Sequence, residues 1–198
     1  MLGLLQTLFS FLTSIFAKRE QKRTVPIIIK HNIPMSDTKN NEQRIITWHP
    51  TSMYTIKPNR QITLIVLHHT GSNSIEGALS WLCNIEAKAS THYIIGRQGE
   101  IYQLVKDEDV AWHAGVSEYN GVRGVNSFSI GIELTGDTTK DPLTEEEYKS
   151  LLWLVRRLMS KYNIGKDSIT DHKAVAIPPG RKVDLGDKFD LYKFKQDL

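Results

Sequence analysis

The stretch "QITLIVLHH", Gln61 to His69, decides how the rest of the chain reads. In an extended chain Leu64 and Val66 point one way and Ile65 and Leu67 the other, so both faces are apolar. A strand of that kind lies inside a sheet that is covered on both sides. It ends in two histidines. His68 shares a face with Leu64 and Val66, and His69 shares the opposite face with Leu67 and Ile65, so at most one of them faces a given site. Strand ends are where loops and sites gather.

Working outward from that strand, "SIEGALSWLCNIEA" (74–87) carries Ile75, Leu79 and Leu82 at helical spacing, with Cys83 among apolar neighbours as a core residue. "THYIIGRQGEIYQLV" (91–105) reads as a strand, a glycine-containing turn and a second strand. "NSFSIGIELTG" (126–136) is another strand, and "LTEEEYKSLLWLVRRLMSKY" (143–162) is the clearest helix. In that helix Thr144 and Glu147 form a capping-box pattern, followed by an apolar face of Tyr148, Leu151, Leu152, Val155, Met159 and Tyr162. "DSIT" reads as a short strand leading to His172. This order predicts an α/β (α+β) domain, one main sheet with helices packed on it.

The 198 residues, with 40% hydrophobic and 24% charged side chains, suit one ordinary globular domain with an appendage. A net charge of +3, with no basic stripe beyond "KREQKR" (18–23), argues against nucleic acid as a partner. The single cysteine excludes an intrachain disulfide and a cysteine-rich zinc site. Residues 1–17 are apolar with an uncharged polar stripe of Gln6, Ser10, Thr13 and Ser14, which leaves three readings: an export signal, a membrane anchor, or an amphipathic helix that binds a membrane or a partner. Residues 18–60 read as a connector, with "VPIIIK" (25–30) as a short strand within it, and 61–198 as the functional domain.

Two segments carry candidate chemistry. In "FSIGIELT" (128–135), Phe128, Ile130, Ile132 and Leu134 take one face, while Ser129, Gly131, Glu133 and Thr135 take the other. The small residues leave room for something to approach Glu133. A carboxylate in a mostly apolar strand needs a partner or a raised pKa, and either condition fits a general base. The second segment is "DHKAVAIPPGRKVDLG" (171–186), where His172, Lys182 and Asp184 gather around Pro178 and Pro179. His172 and Asp184, with His68 from another strand, form a three-ligand nitrogen–oxygen set of the type a catalytic zinc takes. Glu133 can then move a proton and Lys182 can stabilise an oxyanion. Neither Ser72 nor Cys83 stands in a nucleophile context.

Five segments in series, "VLHHTGS", "STHYIIGRQGEIYQLV", "AWHAG", "NSFSIGIELTG" and "PPGRKVD", resemble the zinc-dependent N-acetylmuramoyl-L-alanine amidases of type 2. That family includes bacterial muropeptide amidases, phage endolysins and animal peptidoglycan recognition proteins, and the resemblance covers about residues 61 to 190. It implies a central mixed β-sheet flanked by helices, one zinc ion at the edge of a substrate groove, and hydrolysis of the amide between N-acetylmuramic acid and L-alanine in peptidoglycan or its fragments. Position by position it implies His68, His172 and Asp184 as metal ligands, Glu133 as the acid/base and Lys182 as the transition-state lysine. Where the phage-lysozyme branch has a tyrosine this chain has Thr91, so it is similar to the glutamate-using muropeptide-amidase branch. Trp112 and His113 are expected to line the groove, Asn126 to bind substrate, and Arg97 and Arg123 to meet stem-peptide carboxylates. The alternative is a non-catalytic peptidoglycan-recognition module of the same fold. With residues 1–17, the expected partners are peptidoglycan or muropeptides and a membrane, and the expected place is the cell envelope ahead of a phage-encoded lysin or a cytoplasmic recycling enzyme.

Overall fold

The computed structural model describes residues 43–198. The apolar segment 1–17, the strand expected at 25–30 and most of the connector lie outside the described residues. Among the described residues ten strands are present: β1 (Ile46–Trp48), β2 (Tyr54–Thr55), β3 (Leu64–His69), β4 (Tyr93–Ile95), β5 (Ile101–Gln103), β6 (Val110–Ala111), β7 (Glu118–Tyr119), β8 (Val122–Arg123), β9 (Ser129–Leu134) and β10 (Ile169–Asp171). The α-helices are α1 (Ile75–Leu82), α2 (Glu145–Tyr162), α3 (His172–Val175) and α4 (Leu191–Asp197).

Six strands form the main sheet in the order β1-β5-β4-β9-β3-β10, and two two-stranded ribbons, β2-β6 and β7-β8, lie outside it. All neighbours in the main sheet are parallel except β4 and β5, so the sheet is mixed, as expected. The β4–β5 pair is the strand–turn–strand read from 91–105, and its tight connection makes it antiparallel. β9 and β3 both lie inside the sheet, and the two apolar faces of β3 follow from that place. Ile65, Leu67, Ile130, Ile132 and Leu134 pack against Leu151, Leu154, Val155 and Leu158 of α2 and Phe194 of α4. Leu64 and Val66 face the other way, against Ala114, Val125 and Val175. The α1 residues Ala78, Leu79 and Leu82 cover Ile94 and Leu104.

Three differences from the sequence reading have physical causes. The sheet begins before residue 61: Ile46–Trp48, within the stretch read as connector, pairs with β5 as an edge strand. A three-residue edge strand has too short an apolar pattern to show in sequence. The buried ridge of α2 includes Leu154 and Leu158, while Leu152 and Met159 are only half-buried, so the face is rotated by about one residue. The capping box is half formed. Thr144 Oγ1 accepts from the Glu147 N–H at 3.2 Å, but the Glu147 carboxylate turns inward, fully buried and without a hydrogen bond, with Arg97 Nη1 at 3.7 Å.

Candidate metal centre

The centre forms where β3 and β10, parallel neighbours, end side by side. Their pairing of Asp171 with Leu67 leaves His68 and His172 as the next residue of each strand. The segment read as a loop after β10 instead opens with a single helical turn. Asp171 caps it, its Oδ1 accepting from the Ala174 N–H at 2.8 Å, and this turns His172 inward. Asp184 returns at the far end of the same segment, where the Lys173 N–H donates to its carbonyl at 2.6 Å. Arg181 staples the segment to the 112–116 stretch, donating to the carbonyls of Ile177 at 2.9 Å, Ala114 at 3.1 Å and Val116 at 2.7 Å. Gly186 completes the docking: a Cβ there would lie 2.5 Å from Thr139 N, so a side chain is excluded.

Three atoms converge. His68 Nδ1 lies 3.0 Å from His172 Nδ1 and 3.2 Å from Asp184 Oδ2, and His172 Nδ1 lies 3.0 Å from the same oxygen. All three residues are buried. Ligands at about 2.0–2.1 Å from a tetrahedral ion are themselves about 3.3 Å apart, so the triangle matches one face of such a site. The donor set fits a cation as well. His172 Nε2 lies 3.1 Å from the Ala114 carbonyl, which can only accept, so that nitrogen carries the hydrogen and a neutral ring turns a bare Nδ1 inward. Burial pushes the His68 imidazole down to about 4, so it is neutral at neutral pH, as a metal ligand must be. Burial acts to raise Asp184, but the adjoining His172 and His68 rings outweigh that and hold it well below the usual carboxylate range. A carboxylate and two imidazoles at this spacing can hold a metal ion. His69 is turned away, with its Nδ1 2.7 Å from Thr138 Oγ1. That hydroxyl also accepts the Gly186 N–H at 2.8 Å, so the second histidine helps anchor the Asp184 segment.

Glu133 is paired with His68 in the register of β3 and β9, so both side chains leave the sheet on the same face. It is half-buried, and its Oε2 is buried without a hydrogen bond. Burial, with the nearby charge of Asp184, pushes its carboxyl up to about 8, against the pull of Lys182. Lys182 is half-buried, and its charge acts on both Glu133 and His68. The sequence-predicted metal and acid/base residues are therefore gathered in one place.

The five residues expected to bind substrate are distributed differently. Trp112 stands at the surface, 37% exposed, with its indole N–H on Thr55 Oγ1 at 2.9 Å. His113 is corrected from groove lining to interior: it is 8% exposed, and its Nδ1 lies 2.9 Å from His68 Nε2. Asn126 Oδ1 accepts the Ala114 N–H at 2.8 Å, so that oxygen is engaged within the protein. Arg97 donates to the Pro142 carbonyl at 3.2 Å, and Arg123 lies on the β7–β8 ribbon paired with Glu118 at 3.3 Å. Neither arginine bonds a member of the triad. His92, left between groove and core by the sequence, is fully buried, with its Nδ1 accepting the Gly131 N–H at 3.0 Å.

Sequence reasoning missed Ser129, Ala114, Arg181 and Arg60. Arg60, inside the stretch read as connector, donates to the carbonyls of Asp109 and Ser129. One signal was legible. Gly131 was noted as leaving room beside Glu133, and what fills that room is the His113 ring, which a Cβ on Gly131 would meet at 2.5 Å.

Comparison with known proteins places this geometry among relatives. A protein-family profile described as N-acetylmuramoyl-L-alanine amidase matches residues 58–187. The 1,6-anhydro-N-acetylmuramyl-L-alanine amidase AmpD of Salmonella typhimurium (strain SL1344) is 43% identical over 108 residues, 54% of this chain and 56% of that protein. The N-acetylmuramoyl-L-alanine amidase AmiD of Escherichia coli (strain K12) is 28% identical over 151 residues, 69% of this chain and 53% of the other. The chain thus spans about half the length of these curated relatives. Among solved structures, a selenomethionine derivative of AmpD superposes with a TM-score of 0.68 at 29% identity, covering 83% of this chain and 98% of that one. A complex of E. coli AmiD with the substrate anhydro-N-acetylmuramic acid-L-Ala-D-gamma-Glu-L-Lys gives a TM-score of 0.61 at 26% identity, covering 71% and 59%.

Proposed function

The chain belongs to the N-acetylmuramoyl-L-alanine amidase family, and from that premise we propose that it is a zinc-dependent hydrolase of the amide between N-acetylmuramic acid and L-alanine, acting on peptidoglycan or its fragments. The observation that carries this reading is the convergence of His68, His172 and Asp184 beside Glu133, a carboxyl that changes its protonation near neutrality. His68 Nδ1, His172 Nδ1 and Asp184 Oδ2 would hold the ion. Zinc bound there would supply Lewis-acid chemistry, making water more acidic and polarising a carbonyl. Glu133 takes the proton of the attacking water and returns it to the departing amine, because a group that titrates near the working pH does both efficiently. Lys182 places a positive charge toward the oxyanion that develops on the carbonyl. Water adds across the C–N bond, leaving the lactyl carboxylate on the sugar and a free amino group on L-alanine.

The substrate class rests on similarity to AmpD and to AmiD, the second of which has been solved with an anhydro-muropeptide. Metal analysis of the purified chain, together with mass spectrometry of an anhydro-N-acetylmuramyl-tripeptide incubated with it, tests the reading. About one zinc per chain and release of the free tripeptide are expected. Tight binding of the muropeptide with no zinc and no cleavage would instead identify a recognition module.

Location is a separate matter. Among the described residues no helix is long and apolar enough to cross a membrane. We read residues 1–17 as the part that carries the enzyme to the envelope, followed by the connector and the amidase domain. Membrane fractionation of the chain with and without residues 1–17 tests this; a full chain that stays soluble and unprocessed removes the tether.

A further inference from the structure

We propose that two adjacent residues, His113 and Ala114, brace both metal-binding histidines and so set the affinity of the site. The inference rests on the metal reading above and concerns residues that the chemistry itself does not use. Each histidine turns Nδ1 toward the site and Nε2 away from it. The outward nitrogens meet consecutive positions of one segment: His172 Nε2 meets the Ala114 carbonyl at 3.1 Å, and His68 Nε2 meets His113 Nδ1 at 2.9 Å.

The direction of the second bond follows from the groups behind it. Ser129 has one hydroxyl hydrogen, and it goes to the Val125 carbonyl at 2.7 Å, an acceptor only. Ser129 Oγ must then accept from His113 Nε2, 3.1 Å away. A neutral imidazole carries one hydrogen, and with that hydrogen on Nε2 the His113 Nδ1 is bare. A bare Nδ1 accepts, so His68 Nε2 donates, and the His68 Nδ1 facing the site is a lone pair. The chain Val125–Ser129–His113–His68 thus fixes the tautomer of a metal-binding histidine from three residues away. Partners of this kind orient ligating histidines and raise their basicity.

The brace is itself immobilised. The Asn126 side chain holds the Ala114 N–H at 2.8 Å, and Arg181 shares the Ala114 carbonyl with His172. The His113 ring rests on the bare Cα of Gly131, where a Cβ would come within 2.5 Å of Cγ. His113 is 8% exposed, His68 1% and Ser129 fully buried, so water does not substitute for these partners.

The test measures zinc affinity by competition with a chromophoric chelator, and the visible absorption spectrum of the cobalt-substituted protein, for wild type, Ser129→Ala, His113→Phe and His113→Asn. Affinity is expected to fall by about 10- to 100-fold in Ser129→Ala and His113→Phe, with an altered cobalt spectrum, and to recover largely in His113→Asn, whose amide oxygen accepts from His68. Should the phenylalanine variant fail to fold, Ser129→Ala, which removes one oxygen and touches no ligand, decides alone. If wild type binds zinc and these variants match its affinity within about twofold with an unchanged spectrum, the brace is overturned while the metal site stands. A wild type that binds neither ion overturns the metal reading and the brace together.

Discussion

Glu133 stands directly opposite His68 in the parallel pairing of β3 and β9, and the two side chains leave the sheet together. Neighbouring strands lie about 4.8 Å apart, so the placing of the Glu133 carboxyl beside the His68 ring is a product of strand register. A slip of one residue would turn Glu133 into the α2-facing core and bring Ile132 or Leu134 to the site.

The Glu133→Gln variant keeps the shape of this pair and removes proton transfer. Turnover is expected to fall by about 10²- to 10⁴-fold while zinc content stays at the wild-type level. Steady-state hydrolysis of a muropeptide, run beside metal analysis of the same sample, checks both halves. A glutamine variant of undiminished activity takes Glu133 out of the acid/base role.

Lys182 is separable from metal binding. Lys182→Met should lower kcat by about 10²- to 10³-fold, as loss of an oxyanion partner does, without loss of zinc. Its charge also holds down the pKa of Glu133. Removing it raises that pKa, and since the base works deprotonated, the residual activity should rise with pH later than in wild type. A pH–rate profile whose acid limb is unmoved argues that the lysine is remote from Glu133.

The two histidines of β3 should behave oppositely. His68→Ala removes a ligand, and zinc should be lost. His69→Ala leaves all three ligands in place and loosens only the Thr138 contact to the Asp184 segment, so zinc should remain, bound more weakly. Zinc content measured after dialysis against a mild chelator distinguishes them; zinc retained by His68→Ala and lost from His69→Ala would reverse the assignment.

Glu147 offers a pH effect on stability far from the chemistry. Burial pushes its carboxyl from 4.5 up to about 7, with Arg97 opposing. A raised folded pKa means the folded state favours the protonated acid. The associated stability is fully present below about pH 4.5 and is lost as pH rises through about 7. Glu147→Gln, neutral throughout, should therefore raise the thermal midpoint at pH 8 to 9 relative to wild type and change it little at pH 5. Parallel melting curves for the two proteins at both pH values check the sign.

Much of the centre was legible because strand periodicity is short-range. Alternation in 128–135 put Ser129, Gly131 and Glu133 on one face, and the double-sided apolar run of 64–67 put β3 in the middle of a sheet. The candidate ligand set could be read because His172 and Asp184 flank one proline-stiffened segment and the motifs around them resemble a known family. The ribbon β2–β6 and edge strand β1 were not legible, since two or three residues carry no period.

What the sequence determined by itself was therefore the inventory: a covered sheet, a carboxylate on a strand face as candidate acid/base, and three candidate ligands. What only the tertiary structure decided was direction. Which histidine nitrogen faces the site, why His113 is interior, and which of Trp112, Asn126, Arg97 and Arg123 stay exposed all depend on hydrogen-bond partners far away in the chain. Hydrogen-bond direction is set by the last acceptor in a buried chain, here the Val125 carbonyl, and no local pattern of residues encodes where such a chain ends.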